Sequence, residues 1–402
     1  MVSYNHIKTN KHTVIKYVTF FIVPFLGFIL SLFNLKQKSS RIIFYLFALL
    51  FSIMFTIPLN ETMDASRHRE RFENWAHDNT QNFTEKIDSY VAGSGDKDIF
   101  TYTLSFIVSR VSTNYHAFFL CVMLIFGTFM IKSFKLLTTQ KEFTQSPYIF
   151  LASAMFIMWN SIFNIGFVRF YTAAWIAIYC TLQIHIKNNK SYYLLILLPP
   201  LIHLSFTFYC FIIFLVWATK KRTTLWMYLY LLSFVFSIFS SSLISSVLEN
   251  YLPPMFYSAF NDYLSNEAQE RIWGFGVIQE TFRLYLEPIY INLLTFLAYV
   301  NRKYFVHDES KNLVTHLLIL MTCVNFVMTI PDLGTRFLYL AFPLLAFLLV
   351  TELKRFSFSK LLYLYPIVHA FTLFVLFRNI LKVTNLTDYF TPIFITIFKQ
   401  LA

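Results

Sequence analysis

Repeated apolar runs of membrane-crossing length, separated by short loops rich in Lys and Arg, constrain this chain more than any other feature. They fall at about residues 17–35, 42–59, 114–131, 147–164, 167–186, 192–218, 225–247, 286–300, 312–330, 335–352 and 361–380. A run of roughly 20 apolar residues crosses the hydrocarbon core of a bilayer as one helix. With 57% hydrophobic and only 13% charged residues, and a mean hydropathy of +0.56, no soluble core could absorb this surface. The expected fold is all-α: a polytopic integral membrane protein of about 10–12 transmembrane helices in a single domain over residues 1–402. Two longer polar segments, about 60–100 and 249–287, interrupt the runs, and no internal repeat is visible.

A net charge of +12 could signal a nucleic-acid partner. The basic residues form no stripe or patch, however. They flank the apolar runs, so the partner they indicate is membrane lipid and not nucleic acid. Segments 36–41, 132–141, 187–190, 220–222, 302–311 and 354–360 carry more than half of the 33 Lys and Arg residues. By the positive-inside bias these six lie in the cytoplasm, which puts both long polar segments outside. The basic N-terminus, with Lys8, Lys11 and Lys16, then also lies outside and is outvoted. The first run has no small-residue cleavage site, so it is kept as a helix and not as a signal peptide. Parity demands one more reversal between 187–190 and 220–222. Pro199-Pro200 interrupts the run 192–218, and Ser205 could cap a second half-helix. A re-entrant hairpin with His203 near its tip is the expectation, a single kinked span the alternative.

The most informative charges are two isolated arginines at the outward ends of apolar helices. Arg169 stands in Asn164-Ile-Gly-Phe-Val-Arg169, and Arg336 in Pro331-Asp332-Leu-Gly-Thr-Arg336. A guanidinium at membrane depth is costly and faces a cavity or a partner. Two on one side point to one anionic ligand, with a polyprenyl pyrophosphate the leading candidate. The rival reading is snorkelling to head groups, which usually involves basic clusters on the cytoplasmic side.

Several further elements share an order and spacing with a known family. They are Asp64-Ala-Ser-Arg67-His68 in the first polar segment, and Lys97-Asp98-Ile-Phe followed by Leu104 to Arg110. Arg169-Phe-Tyr-Thr-Ala-Ala-Trp follows, then Leu-Ile-His203-Leu-Ser205, and Gly334-Thr-Arg336-Phe opens a late helix. Together these resemble the EpsG family, Wzy-like polymerases of bacterial surface polysaccharide, over roughly residues 17–380. One position departs from the pattern: Phe170 stands where the family often has Gln.

The resemblance implies a glycosyltransferase that joins lipid-linked repeat units at the periplasmic face of the bacterial inner membrane. The growing glycan would leave undecaprenyl pyrophosphate for a fresh lipid-linked unit, without a nucleotide sugar or other cofactor. A chain-length regulator protein is a further partner to expect. In this scheme Arg169 and Arg336 bind the pyrophosphate bidentately. Asp64 or His203 takes the acceptor proton in an inverting displacement, with Asp332 and Glu280 as further candidates. Arg67, Arg271, Arg283 and Asn164 are candidates for holding sugar or phosphate. Residues 272–286 carry apolar positions at helical spacing, as in a helix lying on the membrane surface.

No metal is expected. Asp96-Lys-Asp98 stands alone, without a nucleotide-binding context, and Cys121, Cys180, Cys210 and Cys323 lie singly in apolar runs as packing residues. A Walker loop is absent, which argues against ATP-driven transport. A flippase for lipid-linked oligosaccharide would be expected to show similar halves. A membrane acyltransferase would place its histidine deep in a span. A ligase that moves finished glycan to a lipid core cannot be separated from a polymerase on these residues.

Overall fold

A computed structural model describes residues 2–57, 64–78, 82–92, 99–144, 146–219, 222–236, 281–328, 330, 333–352 and 359–401. All regular structure among them is helical; the one β-type contact is an isolated antiparallel bridge between Phe55 and Thr384. The first half comprises α1 (Val2–Ile22), α2 (Pro24–Leu32), α3 (Lys38–Met54), α4 (Asp64–His77), α5 (Phe83–Val91), α6 (Phe100–Ser109), α7 (Tyr115–Thr138) and α8 (Pro147–Met158). A 3-10 turn, Ile162–Gly166, leads into α9 (Val168–Ile186). Next come α10 (Tyr192–Leu195), α11 (Leu198–Ile202), α12 (Phe206–Thr219) and α13 (Thr223–Phe236). The second half holds α14 (Glu287–Asn301), α15 (Asp308–Phe326), α16 (Leu333–Leu338), α17 (Ala341–Thr351), α18 (Tyr365–Val368), α19 (Ala370–Val383) and α20 (Ile393–Leu401).

Among the described residues, three stretches are long and apolar enough to cross a membrane: Tyr115–Thr138, Pro147–Gly166 and Leu333–Thr351. Lys360–Val368 with Ala370–Val383 makes a fourth if that pair, bent by 43°, is one span. Of the other expected runs, 167–186 and 312–330 form helices of 19 residues that are less apolar, 225–247 is described only to residue 236, and the rest are shorter or interrupted; proline accounts for two of the breaks. The run 17–35 divides at Val23, and Pro24 opens the next helix, where its missing N–H costs nothing. The run 192–218 divides into α10, α11 and α12: Pro199 and Pro200 sit in the first turn of α11 and lack the N–H groups that would bond back to Leu195 and Ile196. α11 then ends at His203, whose backbone is extended at φ −151° and ψ 111°. The Ser205 hydroxyl, expected as a helix cap, is hydrogen-bonded to the His203 ring at 2.8 Å.

The polar segment 60–100 is no open loop, since it contains α4 and α5. Of the second polar segment, only the end lies among the described residues, a π-helical turn Thr281–Leu286 that runs into α14. The surface helix expected over 272–286 otherwise falls outside them.

Burial places the core. Leu333–Thr351 is 94% buried within the protein, whereas α7 is only half buried and offers its other side to lipid. α17 packs on α8, α14, α15 and α9, and α9 in turn packs on α7, α11 and α15. The most enclosed span therefore begins beside Arg336, and its neighbour α9 begins beside Arg169.

Candidate functional site

Three short segments bring the charged residues together, and each is positioned by its own sequence. The first is α4. Among its buried residues, Ala65, His68, Phe72 and Trp75 recur at spacings of three and four, which makes one inward-facing stripe on a polar helix. Phe72 packs against Phe118 of α7, with ring centroids 5.7 Å apart, and Trp75 against Phe106 of α6 at 5.5 Å. Those contacts fix the first turn of α4, where Asp64 also gains from the helix dipole.

The second segment is the start of α9. The Asn164 amide nitrogen donates to the Trp159 carbonyl at 2.9 Å, and the Phe167 N–H donates to the Asn164 carbonyl at 2.9 Å. Asn164 thus closes the turn that aims α9, rather than standing as an isolated ligand group. Arg169 in the first turn reaches Asp64 at 3.5 Å.

The third segment is α16. A Cβ on Gly334 would lie 2.6 Å from the Met328 Cα and 2.8 Å from the Val327 carbonyl oxygen. Only glycine lets α16 sit this close to the end of α15, and that placement carries Arg336 two residues on.

An aromatic cluster locks these ends to one another. Phe170 packs on Phe206 at 5.1 Å and on Phe337 at 5.7 Å, and Phe206 meets Phe337 at 5.3 Å. Each ring follows a polar residue in sequence: Arg169-Phe170, Ser205-Phe206 and Arg336-Phe337. One residue of each pair enters the core while its neighbour stays at the rim. The Arg336 guanidinium lies 5.8 Å from the Phe170 ring and 6.0 Å from the Phe167 ring, within cation–π range. The His203 ring meets Phe170 edge-on at 5.6 Å and feels the charges of Arg169, Arg336 and Asp64. Phe170, the departure from the family pattern, is therefore an apolar hub.

Asp64 is the electrostatic centre. One of its carboxylate oxygens lies 3.3 Å from Arg67 and 3.5 Å from Arg169, and the other 3.3 Å from His68 Nε2. Burial alone would raise its pKa. The hydrogen bond from His68 and the charges of His68, Arg169 and Arg67 outweigh that and hold the carboxyl well below the usual carboxylate range. Burial pushes the His68 imidazole down, and the charges of Arg169 and Arg71 add to that push against the pull of Asp64. Asp64 is thus an ionised clamp for Arg169. A carboxylate with so low a pKa is a weak base near neutral pH.

Arg283 joins from the second half, where its guanidinium donates to the Thr335 hydroxyl at 3.3 Å, next to Arg336. Arg67 is 65% exposed and stays at the rim. Arg271, Glu280 and Asp332 lie outside the described residues. His68 escaped the sequence reading as a site residue, although its spacing of four from Asp64 on one helix face gave the signal. Among the described residues, no group of three or more His, Cys, Asp or Glu side chains could hold a metal ion.

The model of the EpsG family matches residues 70–393, most of the chain. This chain belongs to the EpsG family. No curated protein and no solved structure matches it. The family match spans Arg169, His203, Arg283 and Arg336 but begins just beyond Asp64, Arg67 and His68. The ion pair from Asp64 to Arg169 ties that preceding segment to the matched region.

Proposed function

We propose that this EpsG-family protein is a surface-polysaccharide polymerase, transferring a growing glycan from undecaprenyl pyrophosphate to a lipid-linked repeat unit. One observation carries the reading: the Arg336 guanidinium lies over the rings of Phe167 and Phe170, which stand on either side of Arg169 although the two arginines are 167 residues apart in sequence. Paired guanidinium groups at the mouth of an apolar bundle match a pyrophosphate whose prenyl tail stays in lipid. With the basic loops in the cytoplasm, as the positive-inside bias favours, this mouth faces the periplasm. The break at His203 then forms the tip of a re-entrant hairpin.

The acceptor hydroxyl attacks the anomeric carbon of the donor, and the bond from that carbon to the phosphate oxygen breaks as the glycosidic bond forms. Arg169 and Arg336 stabilise the charge that gathers on the departing pyrophosphate. His203, oriented by Ser205 at Nδ1, takes the hydroxyl proton at Nε2. Asp64 holds Arg169 in place. A single displacement of this kind inverts the anomeric configuration.

The test is an electrophoretic profile of surface polysaccharide from a deletion strain, with and without the gene restored. Loss of the long ladder with single capped units retained is the expected result. Loss of all capped units would instead identify a ligase, and accumulation of lipid-linked units on the inner leaflet a flippase.

A further inference from the structure

A second polar concavity lies at the corner between α6 and α7. It has a volume of about 740 Å³ and is walled by residues 109–116 and by Gln400 and Leu401. That volume falls within the roughly 300–1,000 Å³ of small-molecule sites. Its lining offers hydroxyl, amide and guanidinium groups from Ser112, Thr113, Asn114 and Arg110, and no carboxylate. The wall is also preorganised. Asn114 donates to the Gln400 carbonyl at 2.7 Å and accepts from the His116 N–H at 2.9 Å, while its own N–H donates to Ser112 at 3.1 Å. His116 contributes to the wall at 5% exposure, and its Nδ1 has no hydrogen-bond partner among the described residues. An open trough rich in hydroxyl and amide groups suits a polyhydroxylated ligand.

Its position links it to the charged cluster. Tyr115, in the same wall, lies 4.1 Å beneath the guanidinium of Arg69. Arg69 is five residues along α4 from Asp64, which is about 7.5 Å of helix axis. We propose that this trough binds the sugar portion of the lipid-linked substrate beyond the reacting centre, an inference that rests on the polymerase reading. It is a glycan subsite whose occupancy sets how long the product grows.

The probe is the set of oligosaccharides released by mild acid from the host strain's own surface polysaccharide. Binding is measured by calorimetry on the purified full chain in lipid nanodiscs. Thr113 is exposed, so Thr113→Trp fills the trough from its surface. It should weaken the oligosaccharides at least ten-fold, while Thr113→Ser binds as the natural chain does. Arg169→Ala should leave this affinity unchanged, because the fragments carry no pyrophosphate. In cells Thr113→Trp should shorten the ladder without abolishing it.

Equal binding by Thr113→Trp and the natural chain would overturn the proposal. So would a defect of Thr113→Trp in cells alone, which would point to a protein partner in the trough. No binding by the natural chain, with the ladder still lost in Arg169→Ala, would remove the trough and leave the polymerase standing. Binding sensitive to Thr113→Trp, with a full ladder from Arg169→Ala, would remove the polymerase and leave a sugar-binding site.

Discussion

The two ends of α9 hold polar groups in opposite ways. Toward its C-terminus, His185 Nε2 lies 3.1 Å from His316 Nδ1, and His316 Nε2 lies 3.2 Å from the Tyr209 hydroxyl. That hydroxyl in turn meets Thr181 at 2.8 Å. The chain ties α9, α12 and α15 together through side-chain hydrogen bonds, and His316 and Tyr209 are fully buried. At the N-terminal end the groups carry permanent charge, sit on helix starts and keep partial exposure, 27% for Arg169 and 17% for Asp64. A polar network buried between helices holds them in register. A charged one left open at the rim is suited to an anion that arrives from outside.

That contrast can be broken by mutation. The largest effects should come from Arg169→Ala and Arg336→Ala. Each removes a charge-assisted contact worth about 1.5–3 kcal/mol, or roughly 10- to 150-fold in rate. The long ladder should fail while membrane abundance of the protein stays normal, and Arg169→Lys should not restore it, because an ammonium lacks the planar fork. A full ladder from both alanine variants would dissolve the distinction between the two ends of α9.

His203→Gln should come next, with a loss on the order of 100-fold if the imidazole takes the acceptor proton. A full-length ladder from this variant would assign the proton elsewhere.

Gly334→Ala should cost activity without touching a charge, since its methyl group would push α16 and Arg336 away from α15. The measurement is ladder length against thermal stability in detergent. A stable protein with full activity would mean that the seat of α16 is not critical.

Asp64→Asn should have a smaller effect, several-fold, because it loosens Arg169 without removing it. Its folded pKa is depressed, so its stabilising effect is complete above the ordinary carboxylate value of about 3.9 and is lost as pH falls below that value. The natural protein should therefore hold its stability through mildly acidic pH and lose this contribution only in strong acid. Unfolding midpoints of the Asn variant should converge with it there.

The smallest effect is expected at the buried network. Tyr209→Phe should lower stability by about 1 kcal/mol and leave the ladder intact. Loss of polymer from this variant would show that the two ends of α9 are coupled.

Much of this arrangement was legible in the sequence. Hydropathy revealed the helical membrane class, and isolation from the basic loops singled out Arg169 and Arg336. The break at Pro199-Pro200 follows from proline geometry, whereas the run 17–35 reads as one helix and divides at Pro24. What stayed hidden was mostly long-range. Nothing in residues 60–100 alone says that a buried stripe from Ala65 to Trp75 turns a polar segment into α4 and delivers Asp64 to Arg169. The His185–His316–Tyr209 chain joins residues up to 131 positions apart, and no local periodicity records such a pairing. Phe170 read as a departure from the family pattern, and only its packing on Phe206 and Phe337 gives it a role.

The backbone bridge at Phe55 has a consequence for biosynthesis. The Thr56 N–H donates to the Val383 carbonyl at 2.7 Å, and the Thr56 hydroxyl reaches the same oxygen across 327 residues of sequence. The segment around Thr56, ahead of α4, therefore gains this anchor only when α19 has left the ribosome and folded back onto it. A nascent chain halted before that point would carry both arginines yet lack this tether for the helix that bears Asp64.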